Sequence, residues 1–263
     1  MPTVSLGSPG SSDGITVNYE DRGSGDPLVL VHGHPFDHTM WRPQLEYFST
    51  THRVLAPDLR GYGKTTVTKG KTLLETFALD LAALLDHLGA ERFFLGGLSM
   101  GGQIVMECLR RFPHRIRGVV LADTSPVADG PEARRFRTET AERLLREGMG
   151  PYAEEVLRKM VAPGDANVDE HVLGMMRATP PEGAAAALRG RAERPDYVET
   201  LRECGVPALI VVGSEDEFTP ISDAELIHGL MPGSRLVVVE GAAHMPNLER
   251  PAEFNRALAE FLA

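Results

Sequence analysis

Apolar residues in this chain fall into short unbroken runs separated by stretches with helical spacing. Pro27–Val31, Phe93–Leu98, Gly118–Ala122, Ala208–Val212 and Leu236–Val239 are such runs, and Arg53–Ala56 is a further one ending at Pro57. Continuous aliphatic and β-branched runs predict strands buried on both faces of a parallel sheet, where alternation would predict a half-exposed one. Between them Met40–Phe48 reads as a short helix. Leu73–Leu88 reads as an amphipathic helix with Leu74, Phe77, Leu81, Leu84, Leu85 and Leu88 on one face. Ile104, Val105, Cys108, Leu109 and Phe112 recur at helical spacing until Pro113 stops the run. Thr3–Leu6 and Ile15–Glu20 predict a short antiparallel edge joined by a Gly/Ser/Pro loop. Alternation of strand and helix predicts an α/β fold.

One stretch breaks the rhythm. From Ser125 to about Asp196 there is no strand pattern, and helix formers dominate over Arg134–Glu147, Tyr152–Val161, Val168–Ala178 and Glu182–Arg191. The expected organisation is a core of residues 1–124 and 197–263 interrupted by a helical insertion, 125–196, placed over the end of the sheet. Met149, Met160, Met175 and Met176 would either line a pocket there or simply pack the insertion onto the body.

With 263 residues, the chain suits one large domain with an insertion. A net charge of −10 argues against a nucleic-acid partner or an anionic membrane surface. Cys108 and Cys204 are the only cysteines, so no disulfide framework is expected. Residues 1–13 lack the basic start and apolar core of a signal peptide, and no apolar stretch approaches membrane-spanning length. A cytoplasmic enzyme is the default expectation.

The chemistry centres on Gly97-Leu98-Ser99-Met100-Gly101, between a predicted strand and a predicted helix. A nucleophilic serine must project from a tight strand-to-helix turn, where small residues on either side relieve crowding. The following helix aims its first N–H groups at the place where negative charge develops. Serine needs a base, and the base needs a group that holds its tautomer. His244 follows the strand at Leu236–Val239, and Asp216 follows the strand at Ala208–Val212. The order Ser99, Asp216, His244 fits a nucleophile, its orienting acid and its base. Glu215, Glu217 and Asp123 compete with Asp216 for the acid role. The oxyanion would be held by the backbone N–H of Met100 and that of His34, in the loop His32-Gly33-His34-Pro35. His32 would pin that loop by a hydrogen bond.

His32, His34, Asp37 and His38 also approximate an H-x-H-x-D-H zinc-ligand cluster, but with one residue too many before Asp37. No metal and no cofactor is therefore expected.

These motifs together resemble the α/β-hydrolase superfamily over nearly the whole chain. Asp58-Leu59-Arg60-Gly61-Tyr62-Gly63-Lys64-Thr65 is similar to its D-x-R-G-x-G-x-S segment, with Thr65 in place of the usual serine. The resemblance implies an eight-stranded, mostly parallel sheet flanked by helices, with a helical cap between strands six and seven. It implies structural roles for Asp58 and Arg60. Leu98–Gly102 and Gly190–Asp196 are similar to the 3-oxoadipate enol-lactonase group and its esterase relatives. The expected reaction is hydrolysis of a small-molecule carboxylic ester or lactone through an acyl-enzyme on Ser99. The alternative is cofactor-free carbon–carbon cleavage of a diketone-like ring-fission product at the same triad. That substrate would need an anchor for its carboxylate. Arg189, Arg191 and Arg194 are candidates, although surface salt bridges explain them equally. A third possibility is a non-enzymatic ligand receptor, which the complete triad disfavours.

Overall fold

Eight strands form one sheet in the computed structural model, which describes residues 1–7 and 14–263. The Gly/Ser/Pro loop expected between the first two strands falls on 8–13, outside the described residues. The strands are β1 (Thr3–Leu6), β2 (Ile15–Arg22), β3 (Pro27–Val31), β4 (Arg53–Pro57), β5 (Phe93–Leu98), β6 (Ile116–Ala122), β7 (Ala208–Gly213) and β8 (Arg235–Val239). Their spatial order is β1-β2-β4-β3-β5-β6-β7-β8. β2 pairs antiparallel with β1 and with β4, and every other pairing is parallel.

The unbroken apolar runs are explained by burial on both sides. In β3, Val29 and Val31 face a layer containing Phe77, Leu81 and Ile104. Leu28 and Leu30 face the opposite layer with Phe36, Trp41, Phe48 and Phe254. The helices are α1 (Arg42–Phe48), α2 (Leu74–His87), α3 (Met100–Arg111), α4 (Pro131–Glu147), α5 (Met149–Met160), α6 (Ala166–Ala178), α7 (Pro181–Arg191), α8 (Val198–Glu203), α9 (Ile221–Leu230), α10 (Pro246–Glu249) and α11 (Pro251–Leu262). The helix expected from Met40 begins instead as a 3₁₀ turn, His38–Trp41, capped by the Asp37 side chain. Pro43, which lacks an N–H, then falls in the first turn of α1, where none is needed. The expected starts of α4, α5, α6 and α7 each fall one to three residues late. α8 has no counterpart among the helices that the sequence pattern predicts.

β3 is paired with β4 on one side and β5 on the other. The chain thus reverses its direction of travel across the sheet at β3. The loops leaving the C-terminal ends of β3 and β5 part there and open a crevice, the usual ligand position in such sheets. Helices α4–α7 lie between β6 and β7 in the chain. α7 packs backbone to backbone on the 61–72 segment: a Cβ on Gly183 would stand 1.9 Å from the Gly61 carbonyl oxygen, and one on Gly190 1.7 Å from that of Thr72. Ala184–Ala187 are all buried, so small residues let α7 be enclosed on every side at this level. Thr179 Oγ1 donates to the Pro35 carbonyl (2.9 Å), tying the end of α6 to the loop after β3.

Among the methionines, Met149 packs with Ala141, Leu144 and Leu188 between helices, and Met175 and Met176 join the layer around Phe36 and Trp41. Met160 both packs in that layer and borders the cavity described below. Among the described residues, no helix is long and apolar enough to cross a membrane.

Candidate active site

Ser99 occupies the turn between β5 and α3 with φ 57° and ψ −116°, a conformation costly for any residue with a Cβ. The surroundings hold it there. Ser99 N donates to Ala122 O (2.9 Å), and Ser99 O accepts from Thr124 Oγ1 (2.8 Å) and Gln103 N (3.1 Å). The flanking glycines answer a demand for space. A Cβ on Gly97 would lie 2.3 Å from the Gly101 backbone, and one on Gly101 would lie 2.2 Å from the Val31 carbonyl oxygen.

The loop after β3 lies against this turn, since a Cβ on Gly33 would stand 3.3 Å from Ser99 Cβ. His32 Nε2 accepts from Leu59 N (2.9 Å), which leaves Nδ1 protonated to donate to Gly33 O (2.8 Å). This is the pinning role expected of His32. Next in sequence is His34, whose backbone N–H lies on the same loop. Met100 is the first residue of α3, so its N–H has no acceptor within the helix.

His32, His34 and His38 turn to separate partners: Leu59 N, Tyr62 Oη (2.8 Å) and Asp58 Oδ1 (2.6 Å). Asp58 also accepts from Asn18 Nδ2 and from the N–H groups of His38 and Lys64. Burial would raise its pKa, but His38 and these donors outweigh that and lower it to about 2. Arg60 makes a bidentate pair with Asp80. Asp58 and Arg60 thus do hold the loop.

His244 is buried, and its Nδ1 donates to Asp216 Oδ2 at 2.7 Å. That bond leaves Nε2 as the nitrogen not engaged by Asp216, on a ring that borders the same cavity as Ser99. Asp216 also accepts from Thr219 Oγ1 (2.5 Å) and Phe218 N (2.8 Å). Burial alone would raise Asp216, but His244 and these donors hold it below the usual carboxylate range. Asp123, at the end of β6, accepts from Gly213 N (2.9 Å) and makes no bond to His244. Ser99, His244 and His34 border one cavity of about 270 Å³.

Two contributors escaped the sequence reading. Glu249 accepts from Ala243 N (3.0 Å) and Met245 N (3.2 Å), on either side of His244, and from Ala162 N (2.7 Å) after α5. Its place in the first turn of α10, shortly after a candidate catalytic histidine, was the available signal. Tyr62 sets the His34 ring through its hydroxyl. The three candidate arginines separate: Arg189 reaches Gly70 O on the surface, Arg194 pairs with Asp129 (3.0 Å), and Arg191 is buried against the cavity.

Residues 28–257 match the alpha/beta hydrolase family. The chain is 38% identical to a thermophilic esterase from Thermogutta terrifontis whose structure was solved with malate bound, with a TM-score of 0.97 over 100% of this chain and 98% of that one. It is 27% identical to 3-oxoadipate enol-lactonase 2 of Acinetobacter baylyi, covering 98% and 97% of the two chains. It is 30% identical to 2-hydroxy-6-oxo-2,4-heptadienoate hydrolase of Pseudomonas putida, covering 95% and 94%.

Proposed function

The chain belongs to the alpha/beta hydrolase family, and from that premise we propose that it hydrolyses a small-molecule carboxylic ester or lactone through an acyl-enzyme on Ser99. The observation that carries this reading is the strained Ser99 turn facing the same cavity as a buried His244 bonded to Asp216. The likeness to an esterase and to an enol-lactonase supports it.

In this reading His244 Nε2 takes the Ser99 proton as Oγ attacks the carbonyl carbon. Asp216 holds the Nδ1–H tautomer and stabilises the imidazolium. The N–H groups of Met100 and His34 receive the charge that develops on the carbonyl oxygen. The imidazolium then protonates the departing alkoxide. Water, deprotonated by His244, attacks the acyl-enzyme and releases the acid. In a lactone both ends stay on one product. Nucleophile, proton shuttle and charge stabilisation all come from the chain, so the reaction calls for no cofactor. Residues 125–196 serve as a cap over the cavity, and the working location is the cytoplasm.

The test is acid release from short-chain esters, simple lactones and enol-lactones, with fluorophosphonate labelling alongside. Ser99→Ala is expected to lose several orders of magnitude in turnover and all labelling. A variant that keeps more than about a few per cent of activity, far above the residual that binding and the oxyanion hole alone leave, overturns the assignment. The identity to the Pseudomonas putida enzyme favours a second reading, carbon–carbon cleavage at the same triad. Turnover of a ring-fission dienoate without turnover of esters would select it.

A further inference from the structure

Arg191 is the last residue of α7, and its side chain borders the cavity that holds Ser99. Its Nε–H donates to Gln103 Oε1 at 3.1 Å. Among the described residues, its terminal Nη groups bond to nothing and it forms no ion pair. The other arginines of the cavity differ: Arg137 and Arg194 both pair with Asp129. Arg191 is 8% exposed. The carbonyl end of α7 offers it only a partial negative charge.

A buried guanidinium without an anion is costly, because the charge has lost its water and gained no partner. Protein and ligand sites resolve this by seating the anion when the ligand binds. The planar fork of Nη1 and Nη2 matches a carboxylate bidentately. Asp129 and Asp223 border the same cavity, which disfavours a doubly charged phosphate.

Position sharpens the match. Gln103, which orients Arg191, lies one helical turn after Ser99 on α3, and Gln103 N donates to Ser99 O. Ser99, Gln103 and Arg191 all border one cavity of about 270 Å³, room for a small acid that reaches both the nucleophile and the guanidinium.

Building on the hydrolase reading above, we propose that the substrate is an ester or lactone bearing a carboxylate, which Arg191 holds a short chain away from the carbonyl that Ser99 attacks. Arg191 is on this view a specificity-determining residue.

The test compares monoethyl succinate with ethyl 4-methylpentanoate, in which an isopropyl group replaces the carboxylate. The native protein should favour the half-ester in kcat/KM by about tenfold or more, chiefly through KM. Arg191→Gln should lower kcat/KM on the half-ester about tenfold more than on the neutral ester, and Arg191→Lys should restore part of the difference. If Arg191→Gln fails to fold, competitive inhibition of the native protein by succinate, but not by isobutanol, supports the proposal, and its absence counts against it. Equal turnover of both esters, turnover of neither, or equal loss on both in Arg191→Gln overturns it. If Ser99 still labels with a fluorophosphonate in those cases, the hydrolase reading stands and only the carboxylate site falls. If neither ester is turned over and Ser99 does not label, both fall.

Discussion

Asp123 and Asp216 lie side by side, with their carboxylates and the His244 ring offering ligand atoms within 4.8 Å of one another. They lie just after adjacent parallel strands, β6 and β7, in which Ala122 pairs with Val211. Only Asp216 bonds to His244. Burial, and then the charge of Asp216, push Asp123 well above the usual carboxylate range, whereas His244 and its hydrogen-bond donors hold Asp216 below it. Asp216→Asn should therefore lose activity by on the order of 10³–10⁴-fold through the wrong histidine tautomer. Asp123→Asn keeps the shape of a side chain that makes no bond to His244, and should stay within about threefold of native turnover.

The stability of the Asp123 variant has a definite sign. A raised acid contributes stability below its unfolded pKa, about 3.9, and that contribution is lost as pH rises through the folded value. Asparagine has no such titration. Thermal melts should show Asp123→Asn gaining on the native protein as pH rises from 4 toward 8. A parallel pair of curves would mean that Asp123 is ionised in the fold.

The sequence made the sheet and the Ser99 turn legible because both rest on local rules. Doubly buried strands must be apolar along their whole length, and a serine turned out at a strand end needs small neighbours. The order of Ser99, Asp216 and His244 was equally readable. The sequence favoured Asp216 but kept Asp123 as a competitor, because both follow strand ends and only the contact with the His244 ring separates them. Arg191 looked like its neighbours Arg189 and Arg194. Its burial arises from the close packing of Gly183 and Gly190 on the 61–72 segment, a contact between distant parts of the chain. Glu249 was hidden for the same reason: two of its three acceptor contacts flank His244, but the third reaches back to Ala162.

Glu249 positions His244 through the backbone on both sides of it. Glu249→Ala strips an acceptor from three N–H groups, and hydrogen bonds to a charged group are worth about 1.5–3 kcal/mol each where they cannot be replaced by water. The expected result is a kcat reduced roughly tenfold to a hundredfold, together with a lower melting temperature. Unchanged kcat with only the melting temperature lowered would leave Glu249 a purely structural tie.

The contact of α7 with the 61–72 segment can be tested by paired glycine changes. Gly183→Ala would place a methyl 1.9 Å from the Gly61 carbonyl oxygen, a backbone atom that cannot swing aside. α7 must then lift, carrying Arg191 with it. This variant should be destabilised by about 1–3 kcal/mol or more, the usual cost of overpacking, and its KM should rise. Gly174, inside α6, has nothing within 4 Å of where its Cβ would stand. Gly174→Ala should gain about 0.5–1 kcal/mol from helix propensity without altering KM. Denaturant titration of both variants reads the contrast directly.

The Asp58–His38 pair gives the fold a pH signature of its own. Asp58 is lowered to about 2, so its contribution to stability is present above its unfolded value and is lost as pH falls toward 2. His38 is raised despite its burial, because Asp58 stands 2.6 Å away. Its contribution is complete below its unfolded value of about 6.5 and is lost as pH rises through the higher folded one. The pair is thus at full strength between roughly pH 4 and 6.5, where both partners are charged in either state. Asp58→Asn should cost most in that window, and the difference from the native protein should narrow on both sides of it. The four donors that meet the Asp58 carboxylate also fix the loop carrying His34 and the turn at Lys64, so the loss should be several kcal/mol, of the order seen when one partner of a buried pair is removed. Melting curves of the two proteins from pH 3 to 9 measure this, and a constant difference across that range would show that the loop is held by the shape of Asp58 alone.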